Sequence, residues 1–335
     1  MQAAIYGLEG LELNADERDF FRDAESAGFI LFRRNCDNQD QLLRLTDSLR
    51  EIAGRDDVPI LIDQEGGRVA RMRPPEWPAF PPGEKFAQLY RAAPSSAIEA
   101  VRSNARALAL MLRSAGINVN ALPLLDVRQE GASDIIGDRA LGSEPMQVAS
   151  LGRAVLDGMA TAGVIGIIKH MPGHGRALVD SHKELPVVTA SADELEVDLE
   201  PFERLASAPM GMTAHVVYTA WDRERPASLS ATVIRDVIRE RIGFDGWLMS
   251  DDLGMEALQG GFAERAAGVV AAGCDVALHC SGKMDEMIAV ASSVPPMTAE
   301  SHDRLNRAMA GTRIDLEPVD FAEEIAKRDQ LLALA

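Results

Sequence analysis

The sequence predicts an α/β fold, a (β/α)8 TIM barrel made as a single domain. Three observations carry this. Short apolar, β-branched runs alternate eight times with longer helical patterns. Several runs are apolar on successive residues rather than on alternate ones, as strands covered on both faces are. Each distinctive polar cluster falls at the C-terminal end of a predicted strand, and a barrel gathers those ends on one face.

Strands are expected to start near Ala3 (AAIYGL), Gly28 (GFILFRR), Val58 (VPILIDQE) and Ile117 (INVNALPLLDV). Four more start near Gly163 (GVIGIIKH), Met210 (MGMTAHVVY), Gly246 (GWLMSDD) and Gly273 (GCDVALHC). Asn14 opens the first helix, with Glu17 at the capping-box position. Asn38 to Ala53 carries Leu42, Leu45 and Leu49 on one stripe, and Ala97 to Ala115 is stopped by Gly116. Further helices are expected near 145–161, 192–207, 230–240, 261–272, 299–311 and 319–334. The domain is expected to span 1–335, with a helical tail from about 295 to 335.

A barrel of this kind needs ~250 residues. The chain has 335, and the surplus sits after strands three, four and five, at about 66–95, 128–145 and 170–190. Long segments without regular structure are usually functional. The competing fold is a doubly wound open sheet, but no G-x-G-x-x-G follows the first strand.

Composition narrows the function classes. Hydrophobic residues are 47% and charged residues 26%, ordinary for a globular protein. Lys and Arg total 34 against 52 Asp and Glu, a net charge of −18. Such a chain is repelled by phosphate backbones and by anionic membranes, so neither is an expected partner. The N-terminal stretch lacks the basic and apolar regions of a signal peptide, and no apolar run reaches ~18 residues. Cys36, Cys274 and Cys280 make no disulfide framework. The expectation is a cytoplasmic protein.

The polar clusters define a candidate site. Asp63, Gln64 and Glu65 end strand three, and DQEGGRVARM sets Asp63, Arg68 and Arg71 around a Gly-Gly turn. Asp63 is placed to accept from hydroxyls and an arginine to donate, although a structural ion pair fits equally well. Arg139 follows strand four. Lys169 and His170 end strand five, where they either donate to a polar ligand or neutralise neighbouring acids. Asp180 and His182 are two apart, so an extended segment points both the same way. A carboxylate beside an imidazole fixes its tautomer and raises its pKa, which makes His182 a general acid/base and Asp180 its orienter; a plain polar surface loop is the alternative.

In MSDDLGM, adjacent acids point to opposite sides. Asp251, the last strand residue, faces the barrel mouth, and Asp252 anchors the loop; a helix N-cap is the bland reading. His170, His174, Asp180 and His182 are all metal-ligand types, but Pro172-Gly173 breaks any helix that would align the first two. No metal and no cofactor is expected. His215, in strand six, and His279 read as satisfied core or rim groups.

DQEGGRVARM, IGDRALG (136–142), KHMPGHGRALVDSH (169–182) and MSDDLGM together resemble the family 3 glycoside hydrolases. More narrowly, they resemble the single-domain bacterial β-N-acetylglucosaminidases (β-hexosaminidases) of peptidoglycan recycling. The resemblance runs from near Gly7 to about residue 282, and Met171 stands where many members have Phe. It implies that Asp251 is the nucleophile of a retaining reaction and that His182 is the acid/base paired with Asp180. It also implies that Asp63, Arg71, Arg139, Lys169 and His170 hold the N-acetylglucosamine ring.

The implied substrate is a GlcNAc-anhydroMurNAc-peptide, and the implied enzyme acts as a monomer. An imidazole does not repel an anionic acceptor as a carboxylate does, so a phosphorylase on the same site stays open. So do a metal-dependent barrel hydrolase and a non-catalytic sugar-binding protein. The glycine-rich loop is expected to swing in when substrate binds.

Overall fold

The computed structural model describes residues 1–312 and 319–334. Eight parallel strands close into a barrel: β1 (Gln2–Tyr6), β2 (Ser26–Leu31), β3 (Ile60–Ile62), β4 (Val119–Asn120), β5 (Ile165–Met171), β7 (Met210–Thr213), β9 (Trp247–Asp252) and β10 (Val276–His279). β1 pairs with both β2 and β10, which shuts the ring. β6 (Val187–Val188) and β8 (Val217–Tyr218) form a separate two-stranded parallel sheet.

The alternation of each strand decides what enters the site. Ile5, Ile30, Leu61, Ile165, Ile167, Met210, Met212, Trp247, Met249 and Leu278 belong to one buried cluster, inside the barrel. Tyr6, Phe29, Leu31, Ile60, Ile62, Ile168 and Leu248 belong to another, between strands and helices. Side chains on a strand alternate faces. The inward row of β3 therefore runs from Leu61 on to Asp63. The inward row of β5 runs Ile165, Ile167, Lys169, and that of β9 runs Trp247, Met249, Asp251. Apolar layers fill the barrel, and a lysine and two aspartates crown it.

The helices form where their ends are satisfied. α1 (Ala15–Ala24) starts at Asn14, whose Oδ1 accepts from Glu17 N at 2.9 Å while Glu17 Oε2 accepts from Asn14 N at 3.1 Å, the expected capping box. α2 (Gln39–Ala53) is capped by Asn38 and ends at Gly54, with φ +64°. α4 (Pro94–Ser114) begins at a proline three residues before the expected start. α5 (Pro145–Ala160), α6 (Ala192–Arg204), α7 (Phe262–Ala272) and α9 (Ala299–Met309) lie where the sequence places helices. Val233–Arg241 is π-wound, continued by Ile242 N bonding Val237 O five residues back.

Four expectations need correction. The segment 66–95 is not free of regular structure, because Gly83–Ala92 forms α3 after Pro81-Pro82. α8 (Met284–Ala291) follows β10 and was not foreseen. The fourth strand is shorter than its apolar run: past Asn120 the chain turns at Leu122-Pro123, and a proline has no N–H for a ladder. The run 210–218 is two strands, and His215 lies between them rather than in one.

α10 (Phe321–Leu332) ends the described chain and returns to the barrel. Arg106 Nη1 meets Glu324 Oε1 at 2.7 Å, and Arg328 Nη1 donates to Asn104 Oδ1 at 3.2 Å. Residues 313–318 of the expected tail lie outside the described residues. No described helix is long and apolar enough to cross a membrane. Cys36, Cys274 and Cys280 are free and buried.

Candidate active site

A cavity of about 330 Å³ opens at the C-terminal end of the barrel. Its walls include all eight residues to which the resemblance gives a role: Asp63, Arg71, Arg139, Lys169, His170, Asp180, His182 and Asp251. They come from β5, β9 and the loops behind β3, β4 and β5.

One wall is an ion network. Lys169 Nζ lies 3.1 Å from Asp63 Oδ1 and 2.7 Å from Glu65 Oε1. Arg139 grips Glu65 with both arms, at 2.8 and 2.9 Å, and Arg71 Nη2 donates to Asp63 Oδ2 at 3.1 Å. Burial alone raises the acids' pKa values, but the cations outweigh it. Lys169 and Arg71 hold Asp63 far below the usual carboxylate range, and Lys169 and Arg139 bring Glu65 down to about 2. Burial opposes the charge of Lys169 as well, yet Glu65 and Asp63 raise its pKa.

The ion pairing of the structural alternative is present, and the paired residues still face the cavity. An ammonium has three donors, and two are used, so one remains for a ligand. Arg68 does other work. Its Nε donates to Asp138 and its Nη2 to the carbonyls of Asp134 and Ile135, which ties the loop after β3 to the loop carrying Arg139.

Asp126 is the residue that sequence reasoning missed. It is fully buried, its Oδ2 lies 2.8 Å from His170 Nδ1, and its Oδ1 accepts the backbone N–H of His170 and of His174 at 3.2 and 2.7 Å. Burial raises its pKa, but His170 and these donors bring it down to about 2. The bond fixes the His170 ring and presents its other nitrogen away from Asp126. The signal was one acid inside the apolar run LPLLDV, where a carboxylate needs partners.

The two acids of β9 divide as expected. Asp252 Oδ1 accepts from Gly254 N at 3.0 Å and Cys280 N at 3.1 Å, which shapes the loop. Among the described residues the Asp251 carboxylate accepts one hydrogen bond, from Asp252 N at 2.8 Å, and it faces the cavity. Burial disfavours its charge, but His170, His215 and the Asp252 N–H reverse this and lower its pKa. His215 does not line the cavity. It bridges Ser228 Oγ at 2.7 Å and the Asp252 carbonyl at 3.0 Å, beneath the end of β9.

His182 Nδ1 lies 2.9 Å from Asp180 Oδ1, which also accepts the His182 backbone N–H at 2.9 Å. The pair forms through this tight turn, not through an extended segment: the carboxylate folds onto the backbone two residues on. His182 is 61% exposed and Asp180 25%. The ring thus reaches the cavity rim with its tautomer set. His170, His174 and His182 each have a different partner, and the described residues contain no group of three or more His, Cys, Asp and Glu placed to hold a metal ion.

The glycine-rich half of this loop is pinned. Gly175 O accepts from Gln129 N, Ala177 O from Ser133 N, and Gly173 O from Tyr218 Oη. A Cβ on Gly175 would sit 1.9 Å from the Val127 carbonyl oxygen. Gly175→Ala is therefore expected to push the loop outward and cut kcat/KM by at least ~100-fold, the scale of a 1 Å misplacement. Unchanged kinetics would mean that this half of the loop does not position Asp180 and His182.

Comparison with known proteins follows the same lines. The model of the Glycosyl hydrolase family 3 N terminal domain matches residues 2–310. A beta-hexosaminidase of Bordetella avium is 35% identical over 309 residues, 90% of this chain and 86% of that protein. One from Alkalilimnicola ehrlichii is 39% identical over 282 residues, 83% of this chain and 80% of that one. The crystal structure of NagZ from Neisseria gonorrhoeae in complex with N-trifluoroacetyl-D-glucosamine superposes with a TM-score of 0.86 at 30% identity, covering 99% of this chain and 98% of that one.

Proposed function

The chain belongs to glycosyl hydrolase family 3 and is a glycoside hydrolase of the β-hexosaminidase kind, and from that premise we propose that it removes terminal β-linked N-acetylglucosamine by a two-step retaining reaction. The observation that carries the proposal is the meeting, in one cavity, of an ionised Asp251 and the Asp180–His182 pair.

In the first step an oxygen of Asp251 bonds to the anomeric carbon as the bond to the leaving oxygen breaks. Protonated His182 gives its proton to that oxygen, and Asp180 stabilises the imidazolium. In the second step the neutral imidazole takes a proton from water, the water oxygen bonds to the anomeric carbon, and the Asp251 carboxylate departs. Most retaining enzymes place a second carboxyl group about 5–5.5 Å away as the acid/base. Here the His–Asp pair takes that place.

Asp63 accepts from ring hydroxyls. Lys169, Arg71 and His170 donate to the sugar or its acetamido group. Arg139 keeps two N–H groups beyond the three already engaged, and contributes chiefly through Glu65. The Neisseria structure with a glucosamine derivative supports the sugar. The physiological substrate is proposed to be a GlcNAc-anhydroMurNAc-peptide of peptidoglycan recycling, met in the cytoplasm. The whole of 1–335 is taken as one catalytic unit that works as a monomer.

The test is hydrolysis of 4-nitrophenyl β-N-acetylglucosaminide followed by proton NMR. Metal-independent release with the β anomer as first product is expected. The α anomer first would overturn retention. Acceleration by phosphate with glycosyl phosphate formed would make the enzyme a phosphorylase, and loss with EDTA would restore the metal reading.

A further inference from the structure

The catalytic loop has two unequal halves. The carbonyls of Gly173, Gly175 and Ala177 are held by hydrogen bonds from outside the loop, as described above. From Leu178 to Leu185, only Ser181 is buried. The neighbouring bonds are local: Lys183 N and Glu184 N reach Asp180 O, and His182 N reaches Asp180 Oδ1. Leu178, a large apolar side chain of this half, is 71% exposed rather than packed into the core. Two described hydrogen bonds tie it to the pinned structure, and both fall on Ser181. Ala257 N donates to Ser181 O at 3.3 Å, and Ser181 Oγ lies 3.1 Å from His174 Nε2.

His174 is rigidly held. It is buried, its backbone N–H is on Asp126, and its ring meets the His170 ring edge-on at 5.7 Å. Burial and the charge of His170 lower its pKa to about 4, so the ring is neutral at ordinary pH. Its Nδ1 is buried without a partner. Ser181 is thus the one hydrogen-bonding partner of the ring among the described residues.

We propose that the His174–Ser181 contact is a latch that seats the Asp180–His182 turn against the cavity, which makes both of its members positioning residues for proton transfer. This rests on the reading of His182 as acid/base. The physical reason is the cost of an unpaired polar group. Removing the Ser181 hydroxyl leaves the buried imidazole with no ring partner while the turn is seated. Unseating the turn lets water reach the ring, so the balance moves outward by more than a bare hydrogen bond.

The test compares two leaving groups in Ser181→Ala. N,N′-diacetylchitobiose needs a proton on its departing oxygen, and 2,4-dinitrophenyl β-N-acetylglucosaminide does not. The expected result is a kcat/KM roughly tenfold lower on the disaccharide and within about twofold of wild type on the dinitrophenyl substrate. Ser181→Thr, which keeps the hydroxyl, restores the wild-type ratio. His174→Phe gives the same selective loss, and the double variant is no worse than either single one. Equal losses on both substrates, or losses that multiply, would overturn the latch. Amide hydrogen exchange over 180–184, expected to quicken in Ser181→Ala, decides the matter without turnover. If the wild type cleaved neither substrate, the proposed function would fail while exchange still judged the latch.

Discussion

Asp251→Asn lowers kcat/KM on 4-nitrophenyl β-N-acetylglucosaminide by more than about 10⁴-fold, on the order of 5 kcal/mol of transition-state stabilisation. The amide is nearly isosteric, so stability should change little, but it cannot form the glycosyl ester. The charge is what matters. The side chain is largely enclosed, which by itself favours the neutral acid, yet His170, His215 and the Asp252 N–H lower its pKa. The group is therefore ionised throughout and above the ordinary carboxylate range, so its protonation should not limit kcat/KM at any pH above that range.

Asp251→Ala with azide carries the prediction further. Azide fills the vacated space, its nitrogen bonds to the anomeric carbon as nitrophenolate leaves, and the product is the α-glycosyl azide. Turnover within tenfold of wild type in either variant without azide, or a β-azide with it, would sink the nucleophile assignment.

Lys169→Met is the second large effect, on stability and on activity together. The substitution roughly keeps the shape and removes the charge that sits between Asp63 and Glu65. Breaking a buried pair from one side costs about 3–5 kcal/mol, because the remaining charges stay buried. For a chain of this length that is a fall in Tm of roughly 4–7 °C. The pH dependence has a definite sign. The folded pKa of Glu65 is depressed to about 2 from a normal 4.5, so the stability it confers is complete above ~4.5 and is lost as the pH falls towards 2. In Lys169→Met both acids move up, and acid unfolding should begin at higher pH than in wild type. Activity should fall at least ~100-fold, since Asp63 loses its placement. Thermal melts from pH 3 to pH 8 read the first effect. A variant as stable as wild type at pH 7 would show that the network is dispensable.

The sequence alone placed the eight barrel strands to within a few residues, because burial on both faces writes itself as a local apolar run. It also placed Asp63, Lys169 and Asp251 at one rim, because strand periodicity is fixed by the backbone and continues past the last apolar residue. The resemblance supplied roles for these residues, and the cavity brings all eight of them to one place. What the sequence did not determine was which charge meets which. Glu65 and Arg139 are 74 residues apart, and Asp126 and His170 are 44 apart. Pairing at that range depends on the register of neighbouring strands and on loops such as the one Arg68 holds, and no local pattern encodes it. The Asp180–His182 pairing was legible from its spacing, but its geometry was not, because spacing alone placed the pair on an extended segment. Only the folded loop shows a carboxylate turned onto its own backbone, with Ser181 buried beneath it against a histidine held by Asp126.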